Sequence, residues 1–471
     1  MGTIFDIPST RSSFKIPSYG IADADPIPGE LLNSGIDLPE LSELEVVRHY
    51  TDLSMMNIGV DSAMYPLGSC TMKYNPKINE RAAALGGFAS LHPLCGDESS
   101  QGALKLLHEL GLYLSEITGM SRFSCAPAAG AHGELAGVMM IKKYFEHRKE
   151  TRRFILIPDS AHGTNPASVA MCGFEVKEVP STKEGDVDLE ALASCLDENV
   201  AAMMLTSPST LGLFDRGILR IAEMLHAKGA LFYCDGANLN AVLGRASIAA
   251  MGFDLMHINL HKTFSTPHGG GGPGAGPIGS VEKLAPFLPG PFVSENDGTY
   301  GLDNGDDRSI GRLHSFYGNF LVCVKAYAYI RSLGAAGLKE VSENAVLNAN
   351  YLLSKLKQYY DLPYQRLCKH EFVLSDAGFP NGVTANDIAK RILDAGYHAP
   401  TVYFPLLVHG AIMIEPTETE SLATLDRFAD AMISIWGEAE TEPELVKSAP
   451  HTTPVRRVDA VLAARKPVIK G

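Results

Sequence analysis

The segment between residues 154 and 258 alternates short apolar runs with amphipathic stretches, and this alternation constrains the fold more than any other feature of the chain. The apolar runs, which we predict to be buried strands, are residues 154–158, 201–205, 230–234 and 255–258. Helical stretches precede or separate them, at about residues 132–150, 189–197 and 217–228. Strands that alternate with helices predict a largely parallel sheet with helices on both faces, so the predicted fold class is α/β.

The rest of the chain divides by its pattern into an arm, a second domain and a tail. Residues 1–70 are rich in Pro, Gly and Ser, with one predicted helix at about 39–50, which is typical of an N-terminal arm. A stripe of leucines at helical spacing then begins at Gly102 and stops at Gly119. The length of 471 residues accommodates a large α/β domain over 71–315, a smaller C-terminal α+β domain over 316–447 and a tail over 448–471.

The C-terminal domain is predicted from two long helices and two weaker strands. We expect the helices at about residues 316–333 and 337–358, and the strands at about 370–375 and 411–415. The tail that follows contains Pro-Val-Arg-Arg and Ala-Arg-Lys-Pro, a polar composition that favours a course along a surface or a partner.

Charge and cysteine usage argue against several functional classes. The 54 acidic and 40 basic residues give a net charge of −14, so the field of the protein repels polyanions and nucleic acid is not an expected partner. The N-terminus carries no targeting pattern, and the longest uncharged stretch, residues 263–281, is mostly Gly and Pro, so no membrane helix is expected. The eight cysteines form no C-x-x-C pair, which predicts reduced thiols, a cytoplasmic location and no metal site.

Polar residues follow three of the predicted strands, where the crevice of an open α/β sheet lies. They are residues 159–168, 235–238 and 261–263. Lys262 follows a buried strand, beside His261 and ahead of the glycine-rich residues 269–276. Desolvation and neighbouring cations favour a neutral amine at such a position, and a neutral amine attacks carbonyl carbons. The alternative is an ordinary loop lysine, because lysines are usually exposed.

Two further residues support a cofactor site. Asp235 ends an apolar strand, where a carboxylate is costly unless it is paired, and a protonated pyridine nitrogen is a suitable partner. The alternative for Asp235 is a turn or helix cap before Gly236. His162 is the candidate to stack on a cofactor ring, although a histidine in a polar loop is more often a hydrogen-bonded structural residue.

An anion site is predicted at the start of a helix. Residues 128–133, Ala-Ala-Gly-Ala-His-Gly, open an amphipathic stretch, and the free N–H groups of a helix start bind phosphate. Small residues also permit tight helix packing, so this signal is weak alone. The glycines of residues 269–276 lack the spacing of nucleotide-binding loops and are interpreted as allowing close backbone approach to a cofactor, or a moving loop.

Taken together, these motifs resemble glycine decarboxylase, the P protein of the glycine cleavage system. Residues 259–279 around Lys262 resemble the cofactor-lysine segment of that family, and the other matching segments are residues 65–75, 127–134, 159–168, 211–214, 235–238 and 449–457. The chain is about half as long as the fused single-chain form and has one lysine segment of this kind, so it resembles the cofactor-bearing second subunit of the two-subunit bacterial type. Ser207 and Ser265-Thr266 depart from the family pattern.

The resemblance implies a fold and a set of site residues. The fold is that of the pyridoxal-phosphate (PLP) dependent fold-type I enzymes, with an aspartate aminotransferase-like large domain and a smaller C-terminal α+β domain. Lys262 is expected to carry pyridoxal 5'-phosphate as a Schiff base, with Asp235 and His162 as further catalytic residues. The same three residues are expected to bind the cofactor together with Ala129, Gly130, Ala131, Ala237 and His261.

The resemblance also implies a reaction and partners. Glycine is decarboxylated, carbon dioxide is released, and the aminomethyl unit passes to the lipoyl arm of the H protein, whose disulfide is reduced. The first subunit is expected as a partner in an α2β2 heterotetramer. Candidates for the group that binds the glycine carboxylate, which the sequence leaves open, are His261, His268, Asn165 and Tyr317.

Two other interpretations remain open at the level of the sequence. Another fold-type I enzyme, such as a cysteine desulfurase, a glycine hydroxymethyltransferase or an amino-acid decarboxylase, would turn over without a lipoyl carrier or second subunit. A catalytically silent assembly subunit would keep the fold and bind no cofactor.

Overall fold

A seven-stranded sheet forms the centre of the computed structural model, which describes residues 2–8, 28–31, 39–92, 94–268 and 274–468. The strands of this sheet are β1 (Arg122–Ser124), β2 (Phe154–Pro158), β3 (Glu175–Val179), β4 (Val200–Thr206), β5 (Leu231–Gly236), β6 (Leu255–Ile258) and β7 (Ile278–Ser280). Their order across the sheet is β1-β7-β6-β5-β4-β2-β3. Strands β2 to β6 run parallel, and β7 is antiparallel to both of its neighbours. The largely parallel sheet agrees with the prediction.

The five remaining described strands form two smaller sheets. They are β8 (Phe292–Asn296), β9 (Thr299–Asp303), β10 (Phe372–Ser375), β11 (Thr401–Val402) and β12 (Ala411–Ile414). Strands β8 and β9 pair as an antiparallel hairpin, and β10, β12 and β11 form an antiparallel sheet in that order. The weak strands predicted near residues 370–375 and 411–415 are therefore present as β10 and β12.

The structure describes fourteen α-helices. They are α1 (Glu43–Met55), α2 (Lys77–Ala83), α3 (Gly86–Ala89), α4 (Gln101–Thr118), α5 (Gly130–His147), α6 (Thr164–Met171), α7 (Leu189–Cys195), α8 (Ile218–Ala227), α9 (Leu260–Thr263), α10 (Phe320–Leu356), α11 (Ala385–Asp394), α12 (Leu422–Thr441), α13 (Pro443–Lys447) and α14 (Ala460–Arg465). None of the described helices is long and apolar enough to cross a membrane.

Helices cover both faces of the large sheet, as the alternating pattern predicts. Buried side chains of α4, α8 and the first half of α10 form one core with the sheet, and those of α5 and α6 form a second core on the other face. Helix α5 lies close to β5 because Gly137 has no side chain, since a Cβ there would be 2.1 Å from the ring of Tyr233. This close packing sets the start of α5 beside the ends of the central strands.

Helix α10 joins the large sheet to the C-terminal region. Its helical geometry is interrupted at Gly334, whose φ of 61° is readily adopted only by glycine. The interruption agrees with the two predicted helices, 316–333 and 337–358. Side chains of α10 from Ala349 onward pack with α11, α12 and the three-stranded sheet in a separate core. The predicted boundaries at residues 70, 315 and 447 stay predictions.

Several elements are absent from the prediction for physical reasons. Strand β3 reads Glu-Val-Lys-Glu-Val and lies at the sheet edge with much of its surface exposed, so it lacks the apolar run of a buried strand. Helix α6 begins at Thr164, inside the polar motif of residues 159–168, which has no helical stripe. Strands β1 and β7 are three residues long and too short to give a periodic signal.

Candidate active site

A cavity of about 400 Å³ opens at the carboxyl ends of the central strands. It is lined by side chains from the ends of β4, β5 and β6, from the starts of α5 and α6, and from the N-terminal residue Ser69. The predicted site residues in its lining are Ala129, Gly130, Ala131, His162, Asp235, Ala237, His261 and Lys262. The structure thus brings the predicted residues to one cavity, while their individual roles stay predictions.

Lys262 lies on the short helix α9, directly after β6. Its Nζ atom donates a hydrogen bond of 2.8 Å to the backbone carbonyl oxygen of Ser69, 193 residues earlier in the chain. The amine is therefore held at the cavity wall by the N-terminal region. No pattern in the sequence pairs these two residues, because the contact depends on the tertiary fold.

Asp235 lies within β5 and is almost fully buried, at 3% exposure. Its Oδ1 atom accepts from the backbone N–H of Ala237 at 3.0 Å and lies 3.3 Å from Nε2 of His257. Its Oδ2 atom accepts from Asn165 Nδ2 at 3.2 Å and from Thr206 Oγ1 at 3.4 Å. These donors stabilise the buried carboxylate, and they hold it at the cavity wall.

Two functional candidates were missed from the sequence, Glu134 and His257. Glu134 lies in the first turns of α5, where it accepts from Thr164 Oγ1 at 2.9 Å and from Asn165 Nδ2 at 3.0 Å. Burial and the neighbouring Asp235 raise the pKa of Glu134 to about 8, so it carries a proton at neutral pH. The signal available was its position four residues after Gly130, on the same face of the helix.

His257 is fully buried in β6 and joins Asp235 to Tyr233. Its Nδ1 atom lies 2.7 Å from the Tyr233 hydroxyl, and its Nε2 atom faces Asp235. Burial lowers the pKa of His257, so the ring is neutral, and its Nδ1 atom accepts from the Tyr233 hydroxyl when Nε2 donates to Asp235. Nothing in the sequence distinguishes this histidine from an ordinary strand residue.

The start of α5, where the sequence predicts an anion site, lies in the cavity wall. Ala129 precedes the helix and Gly130 is its first residue, and the first N–H groups of a helix have no intrahelical acceptor. A Cβ at Gly130 would be 2.3 Å from Asn259 Oδ1, and that buried oxygen has no hydrogen-bond partner. The backbone of Gly276 also lies against Ala129, since a Cβ there would be 2.0 Å from its carbonyl oxygen.

The three histidines of the cavity have lowered pKa values, with burial as the main cause. The pKa of His261 falls to about 3 through burial and the neighbouring His268 and Lys262. Burial likewise lowers the pKa of His162 and His268. At neutral pH these rings are uncharged, and His162 lies edge-on to Phe404 at a centroid distance of 5.5 Å. A neutral ring is suited to stacking on a cofactor without adding positive charge.

The four candidates for the glycine carboxylate are placed differently. His261 and His268 line the cavity, and His268 Nε2 lies 2.9 Å from the carbonyl oxygen of Cys70. Asn165 lies behind the wall, where its amide bridges Glu134 and Asp235. Tyr317 does not contribute to the described lining of this cavity and lies instead against two neighbouring cavities.

The glycine-rich segment is described only in part, because residues 269–273 lie outside the described residues. Within the described part, a Cβ at Gly274 would be 2.7 Å from His261 Nδ1. The interpretation that glycine permits close backbone approach near the site is consistent with this position.

The donor set fits pyridoxal phosphate on three independent features. A primary amine, Lys262, and a buried carboxylate, Asp235, line the same cavity as a helix start with backbone N–H donors. The amine is suited to react with the aldehyde of the cofactor, and the carboxyl group is suited to pair with its pyridine nitrogen. The N–H groups of the helix start are suited to bind its phosphate. The glycine at the helix start leaves room there that a side chain would fill.

Comparison with known families and proteins shows which family the chain belongs to. A family profile described as "Glycine dehydrogenase, C-terminal domain" matches residues 341–453, and one described as "Aminotransferase class-V" matches residues 133–290. The chain is 60% identical over 466 residues to a "Probable glycine dehydrogenase (decarboxylating) subunit 2" of Caldanaerobacter subterraneus subsp. tengcongensis, which covers 98% of this chain and 96% of the relative. A protein of the same name from Bacillus velezensis is 55% identical, with 99% of this chain and 93% of the relative covered.

Solved structures agree on the fold. The chain superposes with a TM-score of 0.74 on a glycine decarboxylase (P-protein) of the glycine cleavage system in inhibitor-bound form, at 22% identity, covering 87% of this chain and 93% of that one. A cysteine desulfurase from Thermococcus onnurineus gives a TM-score of 0.62 at 14% identity, covering 80% of this chain and 95% of that one. The predicted fold-type I class is thereby confirmed. On the sequence relationships, the chain belongs to the family of glycine dehydrogenase (decarboxylating) subunit 2 proteins.

Proposed function

We propose that this protein catalyses the pyridoxal-phosphate-dependent decarboxylation of glycine, with transfer of the aminomethyl group to the lipoyl arm of the H protein. The observation that carries the proposal is the convergence of Lys262, Asp235 and the start of α5 on one cavity in a member of this family. The products are carbon dioxide and an aminomethylated, reduced lipoyl group.

Four parts of the cavity would hold the cofactor. Lys262 would bond to the aldehyde carbon of the cofactor. The backbone N–H groups at Gly130 and Ala131 would bind the phosphate, and Asp235 would pair with the ring nitrogen. His162 and Ala237 are placed to contact the ring. When bound, pyridoxal phosphate supplies an electron sink for the electron pair left as the bond between glycine Cα and its carboxylate breaks.

The protein's own contribution at the ring is to hold a proton on the pyridine nitrogen. Asp235 is placed to do so because its carboxyl group is almost fully buried at the cavity wall, where attraction between opposite charges is strong. Glu134 does not compete for this role, because its raised pKa leaves it neutral at pH 7. Its hydrogen bond to Asn165 instead fixes the amide that donates to Asp235.

At the other end of the site lie Lys262 and two neutral histidines. Because Lys262 would already be bonded to the cofactor aldehyde when glycine enters, another group must orient the glycine carboxylate. His261 and His268 lie beside Lys262 as neutral donors or acceptors, and they are the remaining candidates to orient the carboxylate. Burial of these groups limits water, which would otherwise protonate the reacting carbon.

The partners follow from the same proposal. The name of the relatives designates a second subunit, which calls for a first subunit, and we extend this to an α2β2 heterotetramer that receives the lipoylated H protein. The location proposed is the cytoplasm, as the reduced cysteines indicate. The alternatives of a cysteine desulfurase, a hydroxymethyltransferase or a silent subunit are not favoured, because the relatives at 55–60% identity carry the glycine dehydrogenase name.

Exchange of labelled carbon dioxide into glycine tests the proposal. We expect exchange when the protein is mixed with the first subunit, pyridoxal phosphate and lipoylated H protein, and background exchange when any of these is omitted. Lys262→Ala is expected to abolish exchange in the complete mixture. Full-rate exchange by this chain without the first subunit would contradict the two-subunit proposal, and absence of exchange in the complete mixture would contradict the activity.

A further inference from the structure

Residues 68–73, Gly-Ser-Cys-Thr-Met-Lys, cross from the C-terminal sheet to the lysine helix α9, and we call this segment the strap. The strap belongs to the longer motif of residues 65–75, of which only Ser69 contributes to the described lining of the cavity. Its backbone and side chains make hydrogen bonds to both regions.

On one side, the strap contacts the cofactor lysine and its helix. The Ser69 carbonyl accepts from Lys262 Nζ at 2.8 Å. Lys73 is fully buried, and its Nζ atom donates to the carbonyl oxygen of Thr263, the residue after Lys262, at 2.8 Å. An ion pair of 2.7 Å with Glu418 compensates the charge of Lys73. The strap therefore fixes both the amine of Lys262 and the helix that carries it.

On the other side, two fully buried glutamates hold the strap. Glu371 Oε2 accepts from the Ser69 N–H at 2.6 Å. Glu415 accepts from Thr71 twice, from its N–H at 2.8 Å and from its hydroxyl at 2.6 Å. Both glutamates flank the three-stranded sheet, Glu371 just before β10 and Glu415 just after β12. Glu371 thus bonds directly to Ser69, whose carbonyl oxygen accepts from Lys262, and Glu415 bonds to Thr71, two positions later.

The strap needs such support because its backbone is strained. Ser69 has a φ of 62° and Thr71 a φ of 49°, both in the left-handed region that side-chain-bearing residues rarely adopt. A residue stays in this region only when its surroundings determine its conformation. The hydrogen bonds from Ser69 and Thr71 to the two glutamates provide that determination.

We propose that Glu371 and Glu415 are positioning residues for Lys262, which act by holding the strap so that the Ser69 carbonyl receives the lysine amine. The inference deepens the proposed function, because it rests on that function for the role of Lys262. As a consequence, the Lys262 amine has a fixed acceptor, the Ser69 carbonyl oxygen, whenever it is not bonded to the cofactor. The free amine therefore returns to the same position each time.

The protonation of the two glutamates agrees with this role. Burial and the neighbouring Glu415 raise the pKa of Glu371 well above its ordinary range, while burial raises the pKa of Glu415 to about 7. The adjacent His370 is neutral, because burial and Lys262 lower its pKa to about 3. A protonated Glu371 still accepts from Ser69 through one oxygen, and it does not draw the Lys262 ammonium away from the strap.

The test measures the reactivity of Lys262 in the cofactor-free protein, by acetic anhydride labelling and peptide mass spectrometry. Lys283, which pairs with Asp254 at the opposite end of β6, serves as the internal reference. In Glu371→Leu we expect Lys262 to be labelled about tenfold faster, because an amine that loses a charge-assisted hydrogen bond holds its proton less tightly. Glu371→Gln keeps an acceptor for Ser69 and is expected to restore a rate within about twofold of the wild type.

A matched control separates positioning from general destabilisation. Glu438→Leu removes another glutamate of the C-terminal region, which pairs with Arg391 and does not contact the strap in the described contacts. It is expected to leave the Lys262 rate within about twofold of the wild type. Equal acceleration in Glu371→Leu and Glu438→Leu, or no acceleration in Glu371→Leu, would overturn the proposal.

A gentler variant serves if Glu371→Leu does not fold. Thr71→Val removes only the hydroxyl bond to Glu415 and is expected to raise the Lys262 rate by about threefold, because the backbone bond remains. An unchanged rate in that variant would also overturn the proposal. Since the labelling uses neither cofactor nor glycine, it can succeed while carbon dioxide exchange fails, and the two proposals are thus tested separately.

Discussion

Two pairs of buried carboxyl groups lie near Lys262, and they differ in what they bond to. The sheet pair, Glu134 and Asp235, lines the cavity and bonds mainly to side chains, which include Asn165 and Thr206. The C-terminal pair, Glu371 and Glu415, is absent from the described cavity lining and bonds mainly to backbone N–H groups of the strap.

A buried carboxyl group near a reactive lysine can therefore act on the reaction or on the fold. In the sheet pair, Asp235 presents its carboxyl group to the cavity, while burial and the neighbouring Asp235 raise the pKa of Glu134 so that it keeps a proton. In the C-terminal pair, each group bonds to a backbone N–H of the strap, and neither belongs to the described lining of the cavity. We therefore expect changes in the sheet pair to alter the chemical rate and changes in the C-terminal pair to alter the placement of the lysine.

The largest effect is expected from Asp235→Asn, which keeps the shape of the side chain and removes its charge. Because the ring nitrogen would lose the group that holds its proton, we expect the rate of carbon dioxide exchange to fall by about 10³-fold, with the cofactor still bound. Steady-state exchange and the absorbance spectrum of the bound cofactor measure the two quantities.

A control for this variant is Asp254→Asn. Asp254 is also buried, at the opposite end of the sheet, where it bonds to the backbone N–H of Phe232, to His226 and to Lys283. It should lower stability and leave the exchange rate of the folded protein within about threefold of the wild type. Similar losses of rate in both variants would remove the distinction between the sheet pair and a structural carboxylate.

The pH dependence of stability gives the next largest effect. Glu134 has an ordinary pKa of 4.5 when unfolded and a pKa of about 8 when folded, so the folded state keeps a proton that the unfolded state loses. Stability therefore falls as pH rises between these two values. Between about pH 5.5 and 8.5 the loss from this group amounts to about 3 kcal/mol, and Glu134→Gln should abolish it.

The matching substitution in the C-terminal pair is expected to have a smaller effect on the pH dependence of stability. Glu415 has a folded pKa of about 7, so Glu415→Gln should remove a smaller loss, about 2 kcal/mol over the same pH range. Urea unfolding of the cofactor-free variants at the two pH values measures both differences. A stability that rises with pH in the wild type relative to Glu134→Gln would contradict the assigned protonation.

The smallest effect is expected from removing one hydroxyl group beside each pair. Thr71→Val removes a fully buried hydrogen bond of 2.6 Å to Glu415 and should cost about 1–2 kcal/mol of unfolding free energy. Thr206→Val removes a bond of 3.4 Å to Asp235, which has three other partners, and should cost about 0.5 kcal/mol. Equal costs would show that the two pairs depend equally on these hydroxyls.

The two regions also differ in how far the sequence predicts them. The sheet pair lies within the alternating segment, and Asp235 is visible there because it follows apolar residues of a strand whose end faces the crevice. Glu134 is harder to find, since a glutamate in a helix is ordinarily exposed and only the packing of α5 on the sheet buries it.

The C-terminal pair has no such local signal. Glu371 bonds to Ser69 across 302 residues of sequence, and Glu415 bonds to Thr71 across 344 residues. The strap itself has neither helical nor strand periodicity, and its strained conformations occur at Ser69 and Thr71, where no glycine marks them. Only the tertiary structure brings these residues to Lys262.

The most direct test of the account is to locate the cofactor on the chain. Reduction of the pyridoxal-phosphate-loaded protein with borohydride, followed by peptide mass spectrometry, fixes the cofactor to the lysine that holds it. We expect a phosphopyridoxyl group on the peptide that contains Lys262, and none in Lys262→Ala. A label on another lysine, such as the buried Lys73, or an undiminished visible absorbance in Lys262→Ala, would contradict it.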